Sequence, residues 1–359
     1  MSAPSNRLDW VDCAKGISII LVVMMHSAYG VGDDLHGTGV LNWIIGWATP
    51  FRMPEFFMIS GLFLGEVIAR PWARYADRRA VHYLYFYFLW VILQVLFKVG
   101  LGTGDLKQAG SDIMGSFDGS YGVLWFITML ALFSVTTKLL YTLRVPHWVA
   151  FAGAAVLNLL QITSGVGAID HFTMYFVYFY AGYAFAPVVF RIVAWGQAHV
   201  SLTIVGLLAY ALLEGFLVFG GGSELLPRGL QMGYASNPFI HLSLGFCGSM
   251  LICLTASLLV RVPWMNWLRW LGQHSIVVYL SFSIPMAATR TLILKTGALH
   301  DVSTVSVIVW LVALASSLVL YGLVQWSGYG KFLFERPAWA HIPGTPGSVN
   351  YRPAQVAAE

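Results

Sequence analysis

The chain has 359 residues, of which 58% are hydrophobic and 10% charged, with a net charge of +4 and a mean hydropathy of +0.72. That is too apolar for the surface of a soluble domain, and the basic residues are too dispersed to form a patch shaped for nucleic acid. The three cysteines, Cys13, Cys247 and Cys253, lie in or beside apolar runs and imply no disulfide framework.

Apolar runs of about 20 residues, long enough to cross a bilayer, are read at 14–31, 40–65, 81–101, 121–141, 146–163, 172–190, 200–220, 238–260, 271–294 and 302–325. They predict an all-α, polytopic transmembrane helix bundle of about ten spans with both termini on one side. On that side fall Arg7, Lys15, Arg70, Arg74, Arg78, Arg79, Lys138, Arg144, Arg191, Arg261, Arg269, Lys331, Arg336 and Arg352. Only Arg52, Lys98, Lys107, Arg228, Arg290 and Lys295 fall on the other. This asymmetry predicts cytoplasmic termini. Residues 1–335 are read as one membrane domain and 336–359, rich in Pro, Gly and Ala, as a flexible cytoplasmic tail. The first run carries His26 and is followed by no small-residue cleavage site, so it is expected to be a retained helix.

In that first run Lys15 and His26 are eleven positions apart, which returns to within about 20° of the same helix face. Along the axis they are separated by roughly 16 Å. Lys15 is either a snorkelling anchor or a charged handle, and His26 either an interhelical hydrogen-bonding group or a reacting one. Their shared face favours the functional member of each pair.

The second run contains Thr49-Pro-Phe-Arg-Met-Pro-Glu-Phe-Phe-Met-Ile-Ser-Gly61, two prolines bracketing Arg52 and Glu55. Three positions apart, these two are expected to pair, and Glu55 is deep enough to orient the His26 imidazole. A structural ion pair at a kinked helix is the competing reading. Ser60-Gly61 offers a small surface for close helix approach.

Five patterns then occur in order: Lys15-x10-His26; Met53-Pro54-x-Phe56-Phe57-x-Ile59-Ser60-Gly61; Leu124-Trp125-Phe126; Tyr180-Ala-Gly182-Tyr183; and Leu271-Gly272-Gln-His-Ser275-Ile-Val-Val-Tyr279-Leu280. Together they resemble the integral membrane acyltransferase 3 family, whose members O-acylate carbohydrates. The Asp-x-x-Lys-Gly start is most similar to its fucose 4-O-acetylase-like branch. The resemblance covers nearly all of the expected spans, makes 1–335 an acyltransferase domain and implies a cytoplasmic acyl-CoA donor, acetyl-CoA first among the choices.

The next connection carries Arg70, Arg74, Arg78 and Arg79, which suit either anionic lipid headgroups or the phosphates of coenzyme A. The family places an Arg-x-x-Arg motif here, which the resemblance assigns to the nucleotide end of acyl-CoA. In this chain Arg74 to Arg78 is one residue longer. The polar stretch 102–120 is expected outside, as a solvated loop or an acceptor contact. Trp125 is read as an interfacial belt residue or, alternatively, as a sugar-stacking or channel-lining one. Tyr279-Leu280 is followed by Ser281-Phe282, where family members often have histidine.

No His, Cys or Asp cluster has metal-ligand spacing, so no metal is expected. The reading is a membrane O-acyltransferase in the cell (inner) membrane, moving an acyl group to a sugar or glycoconjugate hydroxyl. It has His26 as general base with Glu55 behind it, Lys15, Arg74, Arg78 and Arg79 on the donor, and Arg52 and Trp125 on the acceptor. The rival reading is a transporter or flippase of a polar solute with Arg52, Glu55 and His26 as a midplane site.

Overall fold

The computed structural model describes residues 8–100, 106–119, 121–297, 299–349 and 351. Arg7, Arg352 and residues 101–105, which include the start of the polar stretch 102–120 with Asp105, lie outside the described residues, as does 352–359 of the expected tail. The described chain is all-helical, with sixteen α-helices and a small antiparallel hairpin pairing Glu224–Leu226 with Gly229–Gln231.

Among the described residues six helices are long and apolar enough to cross a membrane, or up to eight if two bent pairs each count as one span. Two of the ten expected runs form no helix of spanning length. The 40–65 run divides into Val40–Ala48 and Arg52–Leu62, because Pro50 supplies no backbone N–H and its ring blocks helix continuation. The 146–163 run yields only His147–Leu159, about 20 Å long at 1.5 Å per residue against a hydrocarbon core of about 30 Å. The 172–190 and 271–294 runs are the bent pairs. Gly167–Ala184 meets Ala186–Ala198 at 75°, and Ser275–Ser281 meets Ser283–Thr296 at 48°.

At the centre stands the first helix, Asp9–Asp34. Its apolar window is 67% buried, against 17% for Val200–Phe219 and 22% for Val302–Ser327, whose outer faces are left for lipid. Asp9 and Asp12 occupy its first turn, where carboxylates oppose the positive helix end, and Asp9 is also 2.8 Å from Arg269. Small residues let neighbours approach it. A Cβ on Gly272 would strike Asp12 O, and one on Gly16 would strike Leu268 O, so the helix Asn266–Gln273 lies directly against its start. Near its other end Ser27 donates to Ser306 O at 2.7 Å, tying it to the last helix. That helix begins at Asp301, whose carboxylate accepts from the Thr304 hydroxyl and N–H at 2.7 Å each and is held below the usual carboxylate range by those bonds.

The Arg52–Leu62 helix crosses Gly167–Ala184 in the same manner. A Cβ on Gly61 would meet Phe179 O, and one on Gly182 would meet Met58 O. Around this crossing Phe57, Phe126, Phe133 and Tyr175 form one aromatic cluster, with Phe57 centred 4.6 Å from Phe126 and 5.0 Å from Phe133. The expected role of Ser60-Gly61 as a close-approach surface is thus met by Gly61, while Ser60 bonds back to Phe56 O at 2.8 Å.

The chain beyond the last helix packs on the bundle. Trp90 Nε1 donates to Leu333 O at 3.0 Å and Tyr85 to Phe332 O at 3.0 Å. Arg336, within the stretch expected as tail, reaches the buried Asp77 at 2.6 Å.

Candidate functional site

Four cavities adjoin one another, each sharing wall residues with the next, and three of them are lined by residues of the first helix. The first is a basic vestibule of about 560 Å³ lined by Arg70, Arg74, Arg78, Arg79, His82, Arg336 and His341. It shares Arg79 and Tyr83 with a chamber of about 310 Å³ that contains Lys15, Ser60, Gln273 and Ser275. Phe56, Phe126 and Tyr279 separate that chamber from a third of about 190 Å³, which holds His26, Arg52, Trp125 and Tyr175. His26 and Val123 pass from the third into a fourth, a mouth of about 420 Å³ lined by Tyr29, Phe282, Arg228 and Arg290.

The vestibule follows from a local irregularity. Trp72–Ala76 is α-helical, but Asp77–Val81 forms a π-helical turn before α-helix resumes at His82. A π-turn takes up one additional residue in a helix, in the same stretch where the Arg74 to Arg78 spacing exceeds the family motif by one. Asp77 is fully buried within it. Arg336 Nη2 donates to Asp77 Oδ2 at 2.6 Å and Nη1 to Asp77 O at 2.8 Å, Ile342 N–H donates to Oδ1 at 2.7 Å, and His341 Nδ1 lies 3.1 Å from Oδ2. With Asp77 occupied, Arg70, Arg74, Arg78 and Arg79 face the vestibule as a concentration of positive charge suited to phosphates.

Lys15 lies 4.0 Å from Asp12 Oδ1, one turn back on the same helix. One turn further on, Ser18 donates to Glu55 Oε2. The expected Arg52–Glu55 pair does not form. Arg52 is the first residue of its helix, and its guanidinium turns back to Ile45 O and Thr49 Oγ1, 3.3 Å each, over the Tyr29 ring at 5.8 Å. Glu55 points toward Ser18, and it is not among the residues lining either cavity that contains His26.

His26 packs against Phe282, ring centroids 5.4 Å apart, so the residue after Tyr279-Leu280-Ser281 covers the imidazole with an apolar ring. Among the described residues no protein group hydrogen-bonds the His26 ring nitrogens. Trp125 stacks on His171, centroids 3.9 Å apart and planes at 21°, with Tyr175 beyond at 5.5 Å. Tyr279 forms the collar next to Phe126, 5.6 Å away, and is pinned by its hydroxyl to Val123 O at 2.5 Å.

Lys15, Arg79, His26, Arg52 and Trp125 therefore line a row of adjoining cavities, with Arg74 and Arg78 in the basic vestibule at one end. The sequence did not single out Arg228, Arg290, Arg336, His341 or Tyr175. In the sequence the first two stand only as charges of the side opposite the termini, and Arg336 and His341 fall in the stretch expected as tail. The mouth is walled by Arg228 of the hairpin, not by the described part of 102–120. That part folds as Leu106–Gly115 and is pinned by Lys98 to Asp112 at 3.3 Å.

Residues 8–326 match the family described as an acyltransferase domain, acyltransferase 3. The chain belongs to the acyltransferase 3 family. With its apolar helices it is a multi-pass membrane acyltransferase. Comparison with curated proteins and with solved structures gives no match. Among the described residues of this acyltransferase no group of three or more His, Cys, Asp or Glu side chains is placed to hold a metal ion.

Proposed function

We propose that this acyltransferase takes an acyl group, most simply acetyl, from cytoplasmic acyl-CoA and transfers it to a hydroxyl of a sugar or glycoconjugate at the cell membrane. The observation that carries the proposal is the succession of adjoining cavities, from an arginine vestibule past Lys15 and an aromatic collar to His26. A polyanionic nucleotide suits the vestibule, a slender pantetheine arm suits the passage beside Lys15, and the thioester then arrives at the imidazole. In the reaction His26 takes the proton of the acceptor hydroxyl as its oxygen attacks the thioester carbonyl. The tetrahedral intermediate collapses to the new ester, and the sulfur of coenzyme A leaves and is protonated. Positioned base catalysis of this kind is worth about 10²–10⁴ in rate.

Glu55, braced by Ser18 away from these cavities, is assigned to holding the helices in register, and the acceptor enters from the Arg228 and Arg290 mouth. The fucose 4-O-acetylase-like branch and cytoplasmic termini complete the reading. Purified protein given labelled acetyl-CoA and a sugar acceptor tests it. Acceptor-dependent release of free coenzyme A is expected, whereas a transporter or flippase of polar solutes releases none.

A further inference from the structure

We propose that the acceptor carries a fixed negative charge, a carboxylate or phosphate close to the hydroxyl that is acylated, and that Arg52 is the side chain that recognises it. The proposal rests on the acyltransferase reading above and adds the chemical class of its second substrate.

Three arginines mark the acceptor side of the row of cavities, and two are already neutralised. Arg228 is 2.6 Å from Asp33, and Arg290 Nε is 2.9 Å from Asp34. Arg52 differs from both. It is only 9% exposed, and its nearest acceptors, a carbonyl and a hydroxyl, stand at a long 3.3 Å. Nε has no hydrogen-bond partner. Among the described residues no carboxylate pairs with it, and none lines its chamber or the adjoining mouth. Glu55, three residues on, is taken by Ser18.

A buried charge without a counter-ion is a costly arrangement. Here it sits in the same small chamber as the imidazole, which Trp125 and Tyr175 also line. An anionic group on the acceptor completes the guanidinium's hydrogen bonding with a planar, charge-assisted contact. It also holds the neighbouring hydroxyl near His26. A neutral sugar leaves Arg52 as it is and gains no such contact.

The test uses full-length protein in zwitterionic lipid nanodiscs, so that no anionic headgroup competes, with acetyl-CoA as donor. Methyl glucuronoside and methyl glucoside differ by one carboxylate and serve as paired acceptors. Glucose 6-phosphate against glucose separates a phosphate-bearing acceptor from a carboxylate-bearing one. The expected result is at least a tenfold higher kcat/KM for one charged member over its neutral counterpart, roughly the worth of one charge-assisted hydrogen bond. R52Q should abolish that preference through the KM of the charged acceptor alone, and R52K should retain part of it.

Equal use of charged and neutral acceptors by the wild type overturns the proposal. So does an R52Q variant that loses kcat equally on both, because that places the guanidinium on the reacting carbonyl instead. Sugar binding followed by tryptophan fluorescence gives a second readout that needs no turnover: charge-dependent binding lost in R52Q supports the proposal, and charge-independent or absent binding refutes it. Acetyl-CoA binding, measured in parallel, reports separately on the acyltransferase reading and confirms that R52Q and R52K are folded.

Discussion

Ser18 and Glu55 join the first helix to the Arg52–Leu62 helix through one hydrogen bond between two side chains each only 1% exposed. The bond replaces the Arg52–Glu55 pair that a spacing of three suggests. Removing Ser18 leaves a buried carboxyl group without its donor. S18A is therefore expected to cost about 1–3 kcal/mol. E55Q should cost less than E55A, since its amide oxygen still accepts from Ser18. A double-mutant cycle of thermal unfolding in detergent should show strong coupling between Ser18 and Glu55 and near-additivity between Arg52 and Glu55. Coupling confined to Arg52 and Glu55 would contradict the geometry.

His26 is expected to act in the transition state. H26A should bind acetyl-CoA normally and lose about 10²–10⁴ in kcat. Equilibrium binding and single-turnover assays on the same preparation check both halves. Unchanged turnover would remove His26 from the base assignment.

Lys15 and Arg79 line the route between the vestibule and the collar. K15A and R79A are expected to raise the KM for acetyl-CoA with a smaller loss of kcat, since a contact with the bound donor away from its reacting carbonyl persists from ground state to transition state. Acetyl-pantetheine lacks the nucleotide and should be used equally well by R79A and wild type. An equal loss on both donors would mean that Arg79 only maintains the fold.

Asp77 and Arg336 form a buried pair, with side chains 1% and 3% exposed. R336A leaves Asp77 buried without its main counter-ion, and an expected loss of about 3–5 kcal/mol follows. The D77N/R336A double variant should recover part of it. Thermal melts of the detergent-solubilised protein make the comparison. Unchanged stability of R336A would show that this ion pair does not hold the chain beyond the last helix to the bundle.

Gly61 and Gly182 mark a crossing where each helix backbone occupies the place of a Cβ on the other. G61A and G182A should each lower folded yield, because the displaced atoms are backbone carbonyls and not flexible side-chain ends. Size-exclusion profiles of the two variants check this against G153A, a helical position with open space around it.

Composition and run length alone established a multi-pass helical membrane protein, since a bilayer admits little else for so apolar a chain. The ordered patterns from Lys15 to Leu280 pointed to the family, and periodicity placed Lys15 and His26 on one face, because both facts are local to helices. Hydropathy could not count the spans. It registers apolar length but not the break at Pro50 or the 75° bend at Phe185, which depend on backbone geometry. Nor could spacing decide the partners of Arg52 and Glu55: a helical interval of three permits a pair, but Ser18 on another helix and the turn at Ile45 to Thr49 claimed each side chain first. The vestibule wall formed by Arg336 and His341, and the mouth formed by Arg228 and Arg290, join residues hundreds of positions apart. Only the packed bundle brings them together, because contacts between distant segments follow from tertiary packing and leave no periodic trace in the sequence.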